Sequence, residues 1–236
     1  MSEWKLKRFW TDAGADEAPG EAGFRVLLDG RPVRTPAKAL LAVPTRDMAL
    51  AIAAEWDAQE EKIDPTTMPM TRAANAAIDK VAVQHAEVAD MLAAYGDSDL
   101  LCYRADGPEA LVARQATAWD PALDWAATEL GARLEVFAGV IHAPQPPEAL
   151  ARLSARVHGF SPFQLAAFHD LVSLSGSLVL GFAAAADWRE AEAIWTMSRI
   201  DEDWQEEQWG HDEEAAEAAD IKRRAFLDAK RFFDLA

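Results

Sequence analysis

The stretch from Trp188 to Trp209 constrains the fold of this chain more than any other part of the sequence. It runs for 22 residues without glycine or proline and is rich in residues that favour helix, which predicts a single helix. At 100° per residue, Trp188, Trp195 and Trp209 fall on one seam, and the opposite face is also apolar. Because a helix with two apolar faces must be covered on both, we expect this helix to lie between other elements.

Glu202 is the unusual residue of this predicted helix. It falls on the same seam as Trp195 and Trp209, where a carboxylate costs free energy unless it has a partner. If the partner lies within the chain, Glu202→Gln should cost about 3–5 kcal/mol of stability. If the partner is another protein, the variant should keep its melting temperature and lose about 2–5 kcal/mol of binding free energy. We predict the second outcome.

Composition and charge exclude several classes of protein. Half of the 236 residues are hydrophobic and 27% are charged, which is typical of a globular protein rather than a disordered one. A net charge of −17 argues against nucleic acid as a partner, because binding it requires a basic surface. The single cysteine, Cys102, cannot form an internal disulfide, and its apolar neighbours predict a buried, unreactive thiol.

The sequence also lacks the features of a secreted or membrane-inserted protein. The first residues carry scattered charges and no apolar core, so they do not form a secretory signal. The longest uncharged run, residues 171–186, is too short for a membrane span and is expected to be one buried helix that begins near Ser161. We therefore expect a bacterial, cytoplasmic protein without membrane insertion, with a monomer favoured.

The first 65 residues contain the clearest strand signals. Asp29-Gly30 between two apolar runs predicts a tight hairpin, and Pro32 confines the returning strand to a sheet edge. The polar segment 12–23 is expected to be a loop, and Thr45 is expected to cap a helix. These patterns predict an α+β fold, with a β-rich domain over 1–65 followed by a helical domain over 66–236.

No residue pattern in the chain indicates an enzyme. His169 and Asp170 are neighbours on a predicted helix, where adjacent side chains point in different directions and should not pair. A cluster of acidic residues with His211 follows residue 200, but it lacks the duplicated motif of a carboxylate metal site. Neither a metal nor a cofactor is expected. A carboxylate-based, metal-dependent hydrolase with a site between the two domains remains the alternative.

Two tryptophans differ from the others. Most of the nine lie on apolar faces of predicted helices, whereas Trp204 and Trp209 lie among acidic residues at a helix end. Because tryptophan is enriched at protein interfaces, both are candidates for binding a partner protein.

Several separate blocks of sequence together resemble one family. The blocks are KRFW at 7–10, FRVLLDGRPVRTP at 24–36, LAVPT at 41–45, AIAAEWDAQ at 51–59, MPMTRAANAAID at 68–79, YGDSDLLCYRA at 95–105, QATAWDPALDW at 115–125, SLVLGFA at 177–183 and DEDWQEEQWG at 201–210. In this order they are similar to the assembly chaperone of the ATP synthase catalytic head that escorts the alpha subunit. Eukaryotic members of this family are mitochondrial.

The resemblance implies a β-rich domain followed by a helical domain, no catalysis, and binding of the unassembled alpha subunit until the beta subunit replaces it. It also implies a functional acid in the DE-x-x-Q block, which corresponds to Glu202 or to its neighbour Asp201. With these two acids, Trp204, Gln205 and Trp209 form the predicted client-binding set.

Overall fold

The computed structural model describes residues 7–19 and 23–236. A small antiparallel sheet precedes a mainly helical region, which confirms the predicted α+β class. The helices are α1 Arg46–Asp57, α2 Pro69–Ala76, α3 His85–Ala93, α4 Glu109–Trp125, α5 Pro147–His158, α6 Pro162–Ser175, α7 Leu178–Ala185, α8 Ala191–Met197, α9 Ile200–Trp209 and α10 Glu213–Leu235. Within the described residues, none of them has both the length and the apolar character that a membrane crossing requires.

The N-terminal sheet is built around its second strand. In the described part of the chain it contains four strands, β1 Ala13–Glu17, β2 Phe24–Leu28, β3 Arg31–Pro32 and β4 Ala42–Val43. β2 pairs antiparallel with β1 along its whole length, and with the shorter β3 and β4. The helical region adds one parallel pair, β5 Tyr103–Arg104 with β6 Phe137–Ala138.

The prediction of a loop over 12–23 was wrong for the first half of that segment, because β1 occupies residues 13–17. Its residues are poor strand formers, yet each finds a partner on β2, from Ala13 opposite Leu28 to Glu17 opposite Phe24. Backbone pairing of this kind outweighs weak local propensity. The moderate alternation of residues 4–10 also predicts a strand. Residues 4–6 lie outside the described residues, and of residues 7–10 Lys7 forms an isolated antiparallel bridge with Lys62.

The hairpin predicted at Asp29-Gly30 is confirmed. Leu28 pairs with Arg31, so two residues form the loop, and their φ angles of 47° and 75° are those of a type I′ turn. Asp29 adds a local reason for this turn, since its carboxylate accepts hydrogen bonds from the backbone N–H groups of Thr11 and Asp12.

The first compact unit extends beyond residue 65, the boundary expected from the sequence. It comprises residues 1–85 together with 161–167 and 231–236. The extra segments contribute to its core, because the apolar face of α1 and the inner face of the sheet need more cover than the first 65 residues supply. Fully or almost fully buried side chains from these segments are Met70, Ala74, Ala167 and Phe232.

Polar contacts link α1 to the start of α2 within this unit. The Glu55 carboxylate accepts hydrogen bonds from the backbone N–H groups of Met70 and Thr71, which have no partner inside their own helix. Thr45 caps α1 as predicted, accepting from the N–H of Met48 at 3.2 Å. Glu55, which lies in the AIAAEWDAQ block, therefore has a structural role.

The second compact unit comprises residues 86–160 and 168–230. The run of residues 161–186, predicted as one helix, is divided into α6 and α7 by Gly176, whose φ is 70°. Asp99 stabilises the start of α7. Its fully buried carboxylate accepts hydrogen bonds from the Ser177 hydroxyl at 2.7 Å and from the Val179 N–H at 2.9 Å. A carboxylate distant in sequence thus caps the start of α7.

Replacement of Gly181 by alanine is expected to destabilise the second unit. A Cβ atom at this position in α7 would lie 2.6 Å from Cγ2 of Val172 and 3.3 Å from Cε2 of Phe168. Overpacking of this kind costs about 1–3 kcal/mol, which exceeds the gain of about 1 kcal/mol from better helix propensity. We expect Gly181→Ala to lower the melting temperature by several degrees.

The matched control for this variant is Gly14→Ala. A Cβ atom at Gly14 would meet nothing within 4 Å. An equal effect of both substitutions on the denaturant midpoint would refute the packing explanation.

Candidate functional site

The stretch predicted as one helix from Trp188 to Trp209 consists of two helices, so that prediction was wrong. α8 ends at Met197, Ser198 and Arg199 form a turn, and α9 begins at Ile200. The Ser198 hydroxyl donates to the Trp195 carbonyl at 2.7 Å, a local bond that competes with the helical ladder. Because the turn interrupts the helical phase, the tryptophan seam does not continue into α9.

The start of this stretch also differs from the expectation. Asp187 was expected to cap the long helix, but it has a φ of 52° and its carboxylate pairs with Nζ of Lys230 at 2.7 Å. α8 begins at Ala191, four residues after Asp187, with Glu190 at the capping position. Trp188 therefore lies before the helix. The centroid of its ring is 5.9 Å from that of Trp125.

Glu202 is not buried, which contradicts its predicted position on a covered seam. Its side chain is 48% exposed and accepts a hydrogen bond from Nη1 of Arg199 at 2.8 Å, one turn earlier. Trp209, at the end of the same helix, is 82% exposed. The acid and the aromatic ring are thus both available at the surface.

α4 holds α9 through its arginine at position 114. Nη1 and Nη2 of Arg114 each donate to a carboxylate oxygen of Glu207 at 2.9 Å, a bidentate pair. The same guanidinium lies 5.2 Å from the ring centroid of Trp204. The hydrogen bond from Arg114 lowers the pKa of Glu207 from its ordinary value.

Asp201 faces α4 and has an internal partner. Nε2 of Gln115 donates to Oδ1 of Asp201 at 2.6 Å, while Oε1 of Gln115 accepts from the N–H of Ala105 at 2.9 Å. Four residues along α4, the indole N–H of Trp119 donates to the carbonyl of Met197, just before α9 begins. Side chains of α4 therefore contact the segment just before α9 and the first turn of α9, and these contacts define the position of α9.

α9 and the beginning of α10 are strongly acidic. Residues 201–220 contain ten aspartates and glutamates and neither lysine nor arginine. Desolvation raises the pKa of Asp203, and the charges of its acidic neighbours act in the same direction against the lowering effect of Arg199. Such a surface attracts a basic partner and repels a second copy of itself.

The same cluster was considered as a metal site. The described residues contain no group of three or more histidine, cysteine, aspartate or glutamate side chains that could hold a metal ion. Asp203, Glu206, Glu207 and His211 line an open depression, where His211 contacts the carboxylate of Glu206. No arrangement among the described side chains gives the alternative hydrolase a metal-binding centre.

The His169–Asp170 pair and Cys102 were the other residues considered for a chemical role. The expectation that His169 and Asp170 do not pair was wrong, because Nδ1 of His169 lies 2.9 Å from Oδ1 of Asp170. This hydrogen bond raises the pKa of His169. Cys102 is buried as predicted, and burial raises the pKa of its thiol, which keeps the reactive thiolate rare.

The five residues predicted to bind a partner all lie on α9, but they face two directions. Glu202, Gln205 and Trp209 are exposed, whereas Asp201 and Trp204 are half-buried against α4. The prediction missed the supporting side chains of α4, Arg114 and Gln115. A signal for Gln115 was present, since it lies in the QATAWDPALDW block, one turn from Trp119 on the same helical face.

The chain matches a family of known proteins. The family model described as ATP12 chaperone protein matches residues 7–127. The mitochondrial protein atp12 of Schizosaccharomyces pombe is 26% identical over 224 residues, covering 90% of this chain and 76% of the relative.

Solved bacterial structures match over more of the chain. Atp12 from Paracoccus denitrificans is 53% identical, with a TM-score of 0.95 and 99% of both chains covered. A protein from Agrobacterium tumefaciens is 43% identical, with a TM-score of 0.93, covering 97% of this chain and 85% of its own. The chain therefore belongs to the ATP12 chaperone family.

Proposed function

We propose that this protein binds the unassembled alpha subunit of the ATP synthase catalytic head and covers the surface that later meets the beta subunit. Release then follows when the beta subunit competes for the same surface. The proposal assigns the protein no catalytic activity and no cofactor. It places the protein in the bacterial cytoplasm as a monomer. Membership of the ATP12 chaperone family and the sequence blocks spread over the chain support it.

The observation that carries the proposal is the exposed side of α9. Trp209 offers a large apolar side chain, and Glu202 and Gln205 offer polar groups on the same short helix. An aromatic anchor with a polar surround is the usual composition of a protein-binding surface. A subunit that waits for its partner exposes an apolar patch, which such a surface can cover.

The position of α9 is defined before any client arrives. Arg114 donates two hydrogen bonds to Glu207 and lies over the ring of Trp204, so α9 does not depend on the client for its orientation. A preorganised surface loses less conformational entropy on binding than a mobile one. This explains how a ten-residue helix can serve as a docking element.

Substitution of Glu202 by glutamine is expected to weaken client binding without loss of stability. The carboxylate is exposed and paired with Arg199 only three residues away, and such pairs contribute at most about 1 kcal/mol. Removal of the charge should nevertheless slow association with a basic client surface, and we expect affinity for the isolated alpha subunit to fall about tenfold. Thermal unfolding and a binding titration on the full-length protein measure the two quantities.

Glu192→Gln is the matched control for this substitution. Glu192 is also half-exposed and also pairs with an arginine, Arg223, but it lies on α8. We expect this variant to bind the alpha subunit as wild type does. Equal losses for both variants would mean that net charge, and not the surface of α9, governs binding. Failure of the wild-type protein to bind the alpha subunit would overturn the proposed function itself.

A further inference from the structure

Gln115, on the side of α4 that meets α9, is almost completely removed from solvent. It is 1% exposed, and both ends of its side-chain amide are used. The carbonyl oxygen Oε1 accepts from the backbone N–H of Ala105. This bond determines the orientation of the amide, because a flipped amide would set two N–H groups against each other. Nε2 must therefore point towards α9.

The group that receives this N–H is the carboxylate of Asp201. The distance from Nε2 to Oδ1 is 2.6 Å, a short hydrogen bond. Among the described residues, no side chain or backbone group bonds to the second oxygen, Oδ2. Asp201 is only half-buried, so the residue is not closed off from solvent.

Asp201 and Glu202 are adjacent acids with different constraints. The Glu202 carboxylate lies at the end of a long side chain, and among the described residues its hydrogen-bond partner is Arg199 on the same surface. The shorter Asp201 side chain is held by a residue 86 positions away in sequence. A carboxylate with one oxygen bound internally and the other free has a defined direction in which it can accept another hydrogen bond.

We propose that Gln115 is a positioning residue that directs the free oxygen of Asp201 towards a basic side chain of the client. The proposal rests on the proposed function and specifies the partner group as a cation with N–H donors, such as arginine or lysine. Gln115 does not touch the client. It acts by keeping the acceptor in place, so that the client's cation meets an already oriented carboxylate.

A three-variant comparison separates positioning from simple packing of α9 on α4. Gln115→Glu keeps the acceptor for the Ala105 N–H but removes the donor to Asp201, and it should lower both the melting temperature and client affinity. Asp201→Asn keeps a hydrogen bond with Gln115 but removes the charge, so it should leave the melting temperature nearly unchanged and weaken binding about tenfold.

The double variant Gln115→Glu with Asp201→Asn shows whether binding depends on the charge of Asp201 or only on the contact between α4 and α9. Its glutamate can accept from the new asparagine, so the contact between α4 and α9 is restored with donor and acceptor exchanged. The proposal predicts that the melting temperature recovers towards wild type while affinity for the isolated alpha subunit stays at least about tenfold low. Recovery of affinity together with stability would show that binding needs only the contact between α4 and α9 and no charge at position 201, and would overturn the proposal.

Salt dependence gives a second readout that packing does not affect. Wild-type affinity should fall with rising ionic strength, and the fall should be smaller in Asp201→Asn, because one charge pair with the client has been removed. Equal salt dependence in both proteins would contradict a cationic partner for Asp201. Absence of any binding by the wild-type protein would instead refute the proposed function.

Discussion

An isolated fragment of residues 1–65 is expected to remain unfolded. Its sheet is small, and small sheets need a packing partner to be stable. In the full chain the core around α1 is completed by side chains that the fragment lacks, among them Met70 and Phe232, which are buried. The fragment would also leave the carboxylate of Glu55 without the N–H groups of Met70 and Thr71. Circular dichroism and dispersion of amide proton shifts would report the absence of a fold.

A point substitution tests the same idea within the whole protein. Phe232 is fully buried in the core of the first unit, so Phe232→Ala should cost about 3–5 kcal/mol. Ala236, at the end of the chain, is only partly buried, and Ala236→Gly should have little effect. Cooperative unfolding of the 1–65 fragment, or a Phe232→Ala variant as stable as wild type, would contradict the dependence of this core on residues beyond 65.

Substitution of Asp99 by asparagine is expected to cost about 2–3 kcal/mol of stability. The carboxylate is completely buried and accepts hydrogen bonds from the Leu101 N–H, the Ser177 hydroxyl and the Val179 N–H. Asparagine has the same shape, but its amide group turns one acceptor into a donor. At least one buried N–H would then lose its partner. Chemical denaturation of both proteins measures the difference.

The control for this variant is Asp97→Asn, two residues earlier. Asp97 also accepts a backbone hydrogen bond, from the N–H of Gln145, but its side chain is 38% exposed. Water can replace a lost partner at that site, so the substitution should cost less than about 1 kcal/mol. A similar loss of stability for both variants would show that burial of Asp99 is not the cause.

Asp99 should also contribute a pH dependence of known sign. Burial raises its pKa above the ordinary value of 3.8, with the hydrogen bonds acting in the opposite direction. The folded state therefore binds more protons than the unfolded state over this interval, and the contribution of Asp99 to stability falls as the pH rises from about 3.8 through the raised pKa. The stability difference between wild type and Asp99→Asn should shrink over the same interval.

Features that depend on neighbouring residues could be predicted from the sequence. The turn at Asp29-Gly30 was predictable because residues that tolerate positive φ are rare and informative. The cap at Thr45 was predictable because its oxygen bonds to an N–H only three residues away. The acidic and aromatic character of residues 201–209 is likewise a property of the sequence alone.

Tertiary contacts decided the features that the sequence patterns missed. β1 forms because β2 supplies its backbone partners, although its own residues favour a loop. The seam was derived by treating the chain from Trp188 onward as one continuous helix, so it could not show the turn at Ser198. That turn rotates α9 away from the seam. That rotation is why Glu202 is exposed rather than buried.

Asp201 and Glu202 also show which features the sequence determines and which depend on tertiary contacts. The sequence determined that Asp201 and Glu202 are adjacent, but not which of them has an internal partner. That choice depends on Gln115, which is far away along the chain and reaches Asp201 only when α4 lies beside α9. Because a hydrogen bond requires its two atoms to lie within about 3 Å, only the folded chain decides which acid is held and which is free.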